Sequence, residues 1–176
     1  MKFLQAYTYG EFSSMLDQDN PFFHMIHTEE ASATSARLGF CPESEINETR
    51  AFLNSPEFLK NLPEDVKFAW GAESGENGQY LYALKDPGPE YSGPGKSDIR
   101  EIEINDGLLL ISFSKEGSDK LTILTCESVD KTVAIVYDDL VYSAPVVREV
   151  IKGGKCAISG NFSKDELAEL KTVLEN

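Results

Sequence analysis

The sequence predicts an α+β fold: a mostly antiparallel sheet with helices packed on it. Three observations carry that prediction. Short apolar runs alternate with turn residues in hairpin fashion, as in residues 66–72 and 79–84 around Gly75-Glu76-Asn77-Gly78. Helical patterns are interspersed among those runs rather than alternating with them one for one. No βαβ repeat with a phosphate-binding glycine loop occurs; residues 71–78 and 88–95 hold glycines without the required spacing.

The elements follow in order. Residues 11–27 read as a helix, with Phe12, Met15, Leu16, Phe22, Phe23 and Ile26 as apolar points and Pro21 as an interruption or restart. Residues 28–33 read as a loop and 34–40 as a weakly alternating strand. Pro42 stands where a first helical residue would, with Glu43 and Glu45 suited to a helix N-terminus and Ile46, Arg50 and Leu53 on one face. Ser55-Pro56-Glu57 restarts a short helix. In the strand at 66–72, Val66, Phe68 and Trp70 share a face; in its partner, Tyr80, Tyr82 and Leu84 do. Residues 86–98 are a flexible loop rich in Pro and Gly, dividing an N-terminal α/β half, 1–98, from a second half, 99–176, within one compact unit.

The second half is more regular. Strands at 99–104 and 108–113 flank Asn105-Asp106-Gly107. Ser114 caps a helix reaching about Ser128, with Leu121, Leu124 and Cys126 inward. Residues 132–137 form a nearly continuous apolar run, the pattern of a central strand buried on both faces. Asp138-Asp139 turns the chain, residues 140–147 and 155–159 are strands, and Ser163-Lys164-Asp165-Glu166 is a capping box. Leu167, Leu170, Val173 and Leu174 line the terminal helix.

Composition narrows function. A chain of 176 residues, 41% hydrophobic and 26% charged, has the material for one real core. Its net charge of −14 opposes nucleic acid, which needs clustered Lys and Arg, and opposes anionic lipid. The same charge gives solubility and attraction for a basic partner. Cys41, Cys126 and Cys156 lack zinc or redox spacing and read as buried free thiols. No signal peptide or membrane-length apolar run is present, so direct membrane insertion is not expected. As written, the chain reads as cytoplasmic; removal of a leader or anchor would make it extracytoplasmic.

The catalytic search returns little. His24 and His27 stand three apart before Glu29 and Glu30, but nothing completes a metal set of three or four ligands. Asp138-Asp139 reads as a turn pair rather than an acid–base pair. The serines lack a nucleophile elbow. The sequons at Asn47 and Asn161 fall at helical segments and are discounted. No catalytic residue, metal or cofactor is expected.

The stretch from Val141 to Ser163 spends its unusual residues on backbone geometry. Pro145 has no N–H, so its strand is an edge or is bulged there. Ser143 and Ala144 permit close approach of a neighbour. Gly153-Gly154 permits positive φ, and Gly160-Asn161 leads into the Ser163 cap.

These residues together resemble a known family. Ala134-Ile135-Val136-Tyr137-Asp138, Val141-Tyr142-Ser143-Ala144-Pro145-Val146-Val147, Ile151, Gly153-Gly154 and Ile158-Ser159-Gly160-Asn161-Phe162-Ser163 look like the head of the first extracytoplasmic domain of SecD and SecDF. Those are accessory subunits of the bacterial preprotein translocase. Residues 62–71 and 80–85 are similar to the SecDF type of Bacteroides-like bacteria. Asp139 stands where that family usually has glycine. The membrane helices that flank the head and carry the family's proton-coupling charges have no counterpart here, so proton-driven pulling is not expected of this chain alone.

The resemblance implies a SecD-like head in the C-terminal half: a non-enzymatic binding module for unfolded or exported polypeptide. Tyr142, Ser143, Pro145, Val147, Arg148, Gly153 and Gly154 are the contact candidates, because an incomplete edge at Pro145 is open to a peptide. The alternative is an acidic inhibitor or immunity-type protein that binds one basic partner. Oligomeric state is not fixed by the sequence.

Overall fold

A computed structural model describes residues 1–28, 31–75, 77–158 and 163–175. In chain order the elements are β1 (Lys2–Gln5), α1 (Tyr9–Ser13), α2 (Phe22–Met25), β2 (Gly39–Pro42), α3 (Ile46–Leu53), α4 (Pro56–Leu59), β3 (Val66–Gly75), β4 (Gly78–Lys85), β5 (Ile99–Asn105), β6 (Leu108–Phe113), α5 (Lys115–Glu127), β7 (Val133–Tyr137), β8 (Leu140–Ser143), β9 (Lys155–Ile158) and α6 (Lys164–Glu175). Mixed helices and largely antiparallel strands make the fold α+β.

The chain forms two compact units. An N-terminal unit comprises Gln5–Pro89 and Asp139–Tyr142; a C-terminal unit comprises Met1–Leu4, Glu90–Asp138 and Ser143–Asn176.

In the N-terminal unit the strand order is β8-β3-β4-β2. β4 pairs antiparallel with β2 and β3, while β8 runs parallel to β3 through Trp70↔Leu140 and Gly71↔Val141. One face of this sheet buries an aromatic cluster. Phe12, Phe22 and Phe58 come from the short helices, Phe68 and Trp70 from β3, and Leu81 and Ala83 from β4. Ring centroids lie 4.5 Å apart for Phe52–Phe58 and 5.1 Å for Phe12–Phe22, within favourable aromatic contact. The β3 face predicted from Val66, Phe68 and Trp70 is the core face; on β4 the core takes the opposite set from Tyr80 and Tyr82.

The C-terminal unit holds a three-stranded sheet, β5-β6-β9, with α5 and α6 packed on it, and β1 beside β7. β6 buries alternate residues, Leu109, Ile111 and Phe113, as a strand with one covered face does. α6 covers that sheet with Leu167, Leu170 and Leu174. Val133 to Val136 are all buried, the two-sided burial expected of the apolar run at 132–137.

Local signals account for most boundaries. Ser114 Oγ accepts from Gly117 N–H at 3.1 Å to start α5. Ser163 and Glu166 form their capping box at 2.7 and 3.2 Å. Ser55 caps α4 with Pro56 in its first turn. Asp138 and Asp139 have φ of 50° and 60°, the two left-handed positions of a tight turn.

Several sequence expectations are corrected. The helix over 11–27 is two short helices. α1 begins at Tyr9 because Thr8 and Glu11 form a capping box, and Pro21 caps α2. The strand over 34–40 is displaced to Gly39–Pro42, which pair in register with β4, and Leu38 N–H adds one bond to Leu81 O at 2.8 Å ahead of it. Pro42 precedes a 3-10 turn rather than opening the helix. The strand over 140–147 stops at Ser143. β1 has no sequence forecast, because its four residues are too few to show a period. The hairpin position Glu76 and residues 159–162, which include Gly160-Asn161, the second sequon and most of the last resemblance motif, lie outside the described residues, as do Glu29 and Glu30.

Candidate functional site

The C-terminal unit carries a half-open apolar cavity of about 280 Å³. That volume is at the low end of ligand pockets, roughly 300–1,000 Å³, and suits apolar side chains better than a large molecule. α5 contributes Leu121, Leu124 and Thr125, β7 contributes Val133 and Ile135, and β9 contributes Cys156 and Ala157. Phe3 and the irregular segment after β8 complete the lining, through Pro145, Val146, Val147, Arg148, Glu149 and Ile151.

Backbone bonds hold that irregular segment in place. Val133 N–H donates to Pro145 O at 2.9 Å, Val147 N–H to Lys131 O at 2.9 Å, and Asp130 N–H to Val147 O at 2.8 Å. Further along, two threonines of α5 grip Ile151. Thr125 Oγ1 donates to Leu121 O at 2.7 Å and accepts from Ile151 N–H at 3.0 Å. Thr122 Oγ1 lies 2.9 Å from Ile151 O and 2.8 Å from Ser118 O. The Thr125 proton goes to its own i−4 carbonyl, which leaves a lone pair for Ile151 N–H, whereas Thr122 has one proton to share between two carbonyls. At the end, Phe113 N–H donates to Gly154 O at 2.8 Å.

The glycine turn meets two different demands. Gly153 has φ +96° in open space, so the requirement there is conformational. Gly154 has φ +66°, and an added Cβ would lie 2.7 Å from Ser118 Cβ. It is both left-handed and pressed against α5. The turn itself therefore requires glycine at both positions.

Of the seven contact candidates, Pro145, Val147 and Arg148 line the cavity. Val147 is buried, while Pro145 and Arg148 are exposed at its rim. Gly153 and Gly154 lead into β9, and Tyr142 and Ser143 end β8, none of them in the lining. At Pro145 the backbone offers no donor, and its carbonyl is already taken by Val133. Sequence reasoning missed Ile135, Ile151 and the threonine tether. The available signal was the inward face of α5, but the buried position there is Thr125, whereas Cys126 is exposed. The expectation of three buried thiols is thus corrected: Cys41 is buried, Cys156 half-buried and Cys126 exposed.

The cavity's chemistry is apolar. Arg148 and Glu149 place opposite charges at its rim. Burial pushes the Cys156 thiol up to about 12, which keeps it protonated and unreactive near neutral pH. Among the described residues no group of three His, Cys, Asp or Glu is placed to hold a metal ion. No helix among them is long and apolar enough to cross a membrane.

Residues 103–176, which contain all of the cavity lining except Phe3, match the family described as SecDF, P1 head subdomain. The chain carries a SecD-like head domain. It is similar to the protein translocase subunit SecD of Petrotoga mobilis, 38% identical over 164 residues, covering 84% of this chain and 34% of that protein. The corresponding subunit of Rhodothermus marinus is 31% identical over 131 residues, 70% of this chain and 21% of that protein. That of Calditerrivibrio nitroreducens is 46% identical over 72 residues, 41% of this chain and 14% of that protein. The chain therefore spans about a third or less of the length of these relatives.

Proposed function

We propose that the chain is a non-enzymatic accessory module of protein export that contacts unfolded polypeptide through the apolar cavity of its head. The observation that supports this is a cavity lying in the stretch that matches the SecDF head, with Pro145, Val147 and Arg148 in its wall. Unfolded chains differ from folded ones in exposing apolar side chains, and a small apolar cavity receives such groups without reading a particular sequence. The tether through Thr122, Thr125 and Ile151 keeps the wall in position in the absence of a ligand, which limits the ordering cost of binding. On this reading the module works on the extracytoplasmic side. Tyr142, Ser143, Gly153 and Gly154 then support the wall from neighbouring elements or act outside the cavity.

The test is a titration of the isotope-labelled chain with a permanently unfolded, reduced and carboxymethylated protein. Amide shifts grouped at 145–151 and 156–157 are expected, and the folded form of the same protein should give none. Shifts absent at saturating ligand, or scattered over both units, would remove the proposal. The inhibitor reading rests on net charge alone, and it predicts instead one tight, salt-sensitive folded partner.

A further inference from the structure

We propose that the outer edge of β9 takes up an extended polypeptide segment as an added strand, whose alternate apolar side chains enter the adjoining cavity. This deepens the polypeptide-contact reading above and rests on it. What it adds is the mode of binding and the chemistry of the segment.

The ladder fixes which backbone groups are available. β6 and β9 pair through Ile111↔Cys156 and Ser112↔Lys155, and Phe113 N–H donates to Gly154 O. In an antiparallel ladder hydrogen-bonded and non-hydrogen-bonded pairs alternate. Gly154, Cys156 and Ile158 therefore turn their N–H and C=O groups toward β6. Lys155 and Ala157 turn theirs outward, where no described residue pairs with them. Both are exposed.

The two edges of this sheet are treated differently. β5 carries exposed Arg100, Glu101 and Glu103, has a register shift between Ile99 and Glu101, and has α6 packed against it. Exposed charges and an irregular register both discourage strand addition. β9 pairs with β6 over four consecutive residues without a shift and presents the small Ala157 outward. Cys156 and Ala157 also line the cavity, so a strand laid on β9 runs along it. Successive side chains of such a strand point to opposite sides, and one alternate set faces the cavity.

Charge selects the segment. The stretch 145–157 holds Arg148, Lys152 and Lys155 against Glu149 alone, in a chain whose net charge is −14. The occupant that complements this site has apolar residues at alternate positions and acidic residues between them. A basic counterpart is drawn by the chain's overall charge but is repelled by Arg148, Lys152 and Lys155 where it would lie, so it gains less at this edge.

The experiment uses the whole chain and a fluorescent peptide of alternating valine and glutamate, followed by anisotropy. The valine–lysine peptide should bind about tenfold more weakly or worse. Ala157→Pro removes an outward N–H and leaves the β6 ladder its bonds, so it should weaken the valine–glutamate peptide by about tenfold or more. Should that variant unfold, wild-type chain is titrated with peptides N-methylated at alternate residues. One methylation register should abolish binding and the other should spare it. Equal binding by Ala157→Pro, equal binding in both methylation registers, or no preference between the two charged peptides overturns strand addition. If the carboxymethylated protein still binds in that case, the polypeptide-contact reading survives. If wild-type chain binds neither the peptides nor that protein, both readings fall.

Discussion

The two units of this chain solve the problem of a small core in different ways. The N-terminal unit fills its interior with rings: Phe12, Phe22 and Phe58 are almost wholly buried, and Phe52, Phe68 and Trp70 close around them. The C-terminal unit builds on aliphatic residues, leaves a cavity, and holds its irregular wall by hydrogen bonds with Thr122, Thr125 and Phe113. Filled space gives stability, because every ring has partners on all sides. A cavity forgoes some of that contact, and its wall then needs directional bonds to keep a shape. The comparison teaches that the unit with the candidate site is the one whose irregular wall is held by directional bonds.

The largest expected effect breaks the aromatic unit. Phe58 stacks on Phe22 and lies 4.5 Å from Phe52, with 5% exposure. Phe58→Ala should cost about 3–5 kcal/mol. Urea denaturation read by Trp70 fluorescence checks it, since Trp70 sits in the same cluster. Leu124→Ala, at a half-buried position that already borders open space, should cost about 1–2 kcal/mol, less than the usual buried Leu→Ala. Equal losses at the two positions would erase the difference in packing.

Gly154→Ala comes next. It forces a Cβ toward Ser118 and a left-handed φ on alanine, and about 2 kcal/mol is expected. Gly153→Ala meets only the conformational term and should cost about 1 kcal/mol. Thermal melts of the pair separate close approach from backbone strain. Thr125→Val leaves Ile151 N–H without its acceptor at about 1–3 kcal/mol. Hydrogen exchange should then quicken at Ile151 and stay unchanged at Leu81 in the other unit.

Two smaller effects concern titration. The Ser163 backbone N–H and side chain hold the Glu166 carboxyl below its ordinary value. A depressed carboxyl contributes stability that is present above its unfolded value and is lost as pH falls through the folded one. The penalty of Ser163→Ala should therefore be larger at neutral pH than in acid, in melts at the two conditions. Among the thiols, exposed Cys126 should react with iodoacetamide at mildly alkaline pH well before Cys156, whose thiol is pushed up to about 12. Peptide mass spectrometry reads the order, and faster labelling of Cys156 would show that the cavity wall opens.

Much of the fold was legible where the signal is local. Ser114, Ser163 and Ser55 announced their helices through side-chain oxygens that reach a nearby N–H, and the two aspartates at 138–139 announced a turn. The run at 132–137 announced its burial by composition alone. The candidate site was legible only in part. Pro145, Val147 and Arg148 stand out as unusual residues in a short stretch, but nothing in sequence marks Leu121, Ile135 or Cys156 as their neighbours.

The sequence by itself determined the α+β class, the order of most elements, the caps, the positive-φ glycines and the resemblance to a SecD head. Each depends on residues within a few positions of one another, or on a motif read along the chain. Tertiary structure decided the rest. β1 exists because β7 lies beside it, the strand after Leu140 ends at Ser143 because the chain turns to pair with 131–133, and β9 has β6 as its one strand partner among the described residues. A cavity is the space left when distant elements meet, so its lining is a property of their packing and not of any one segment.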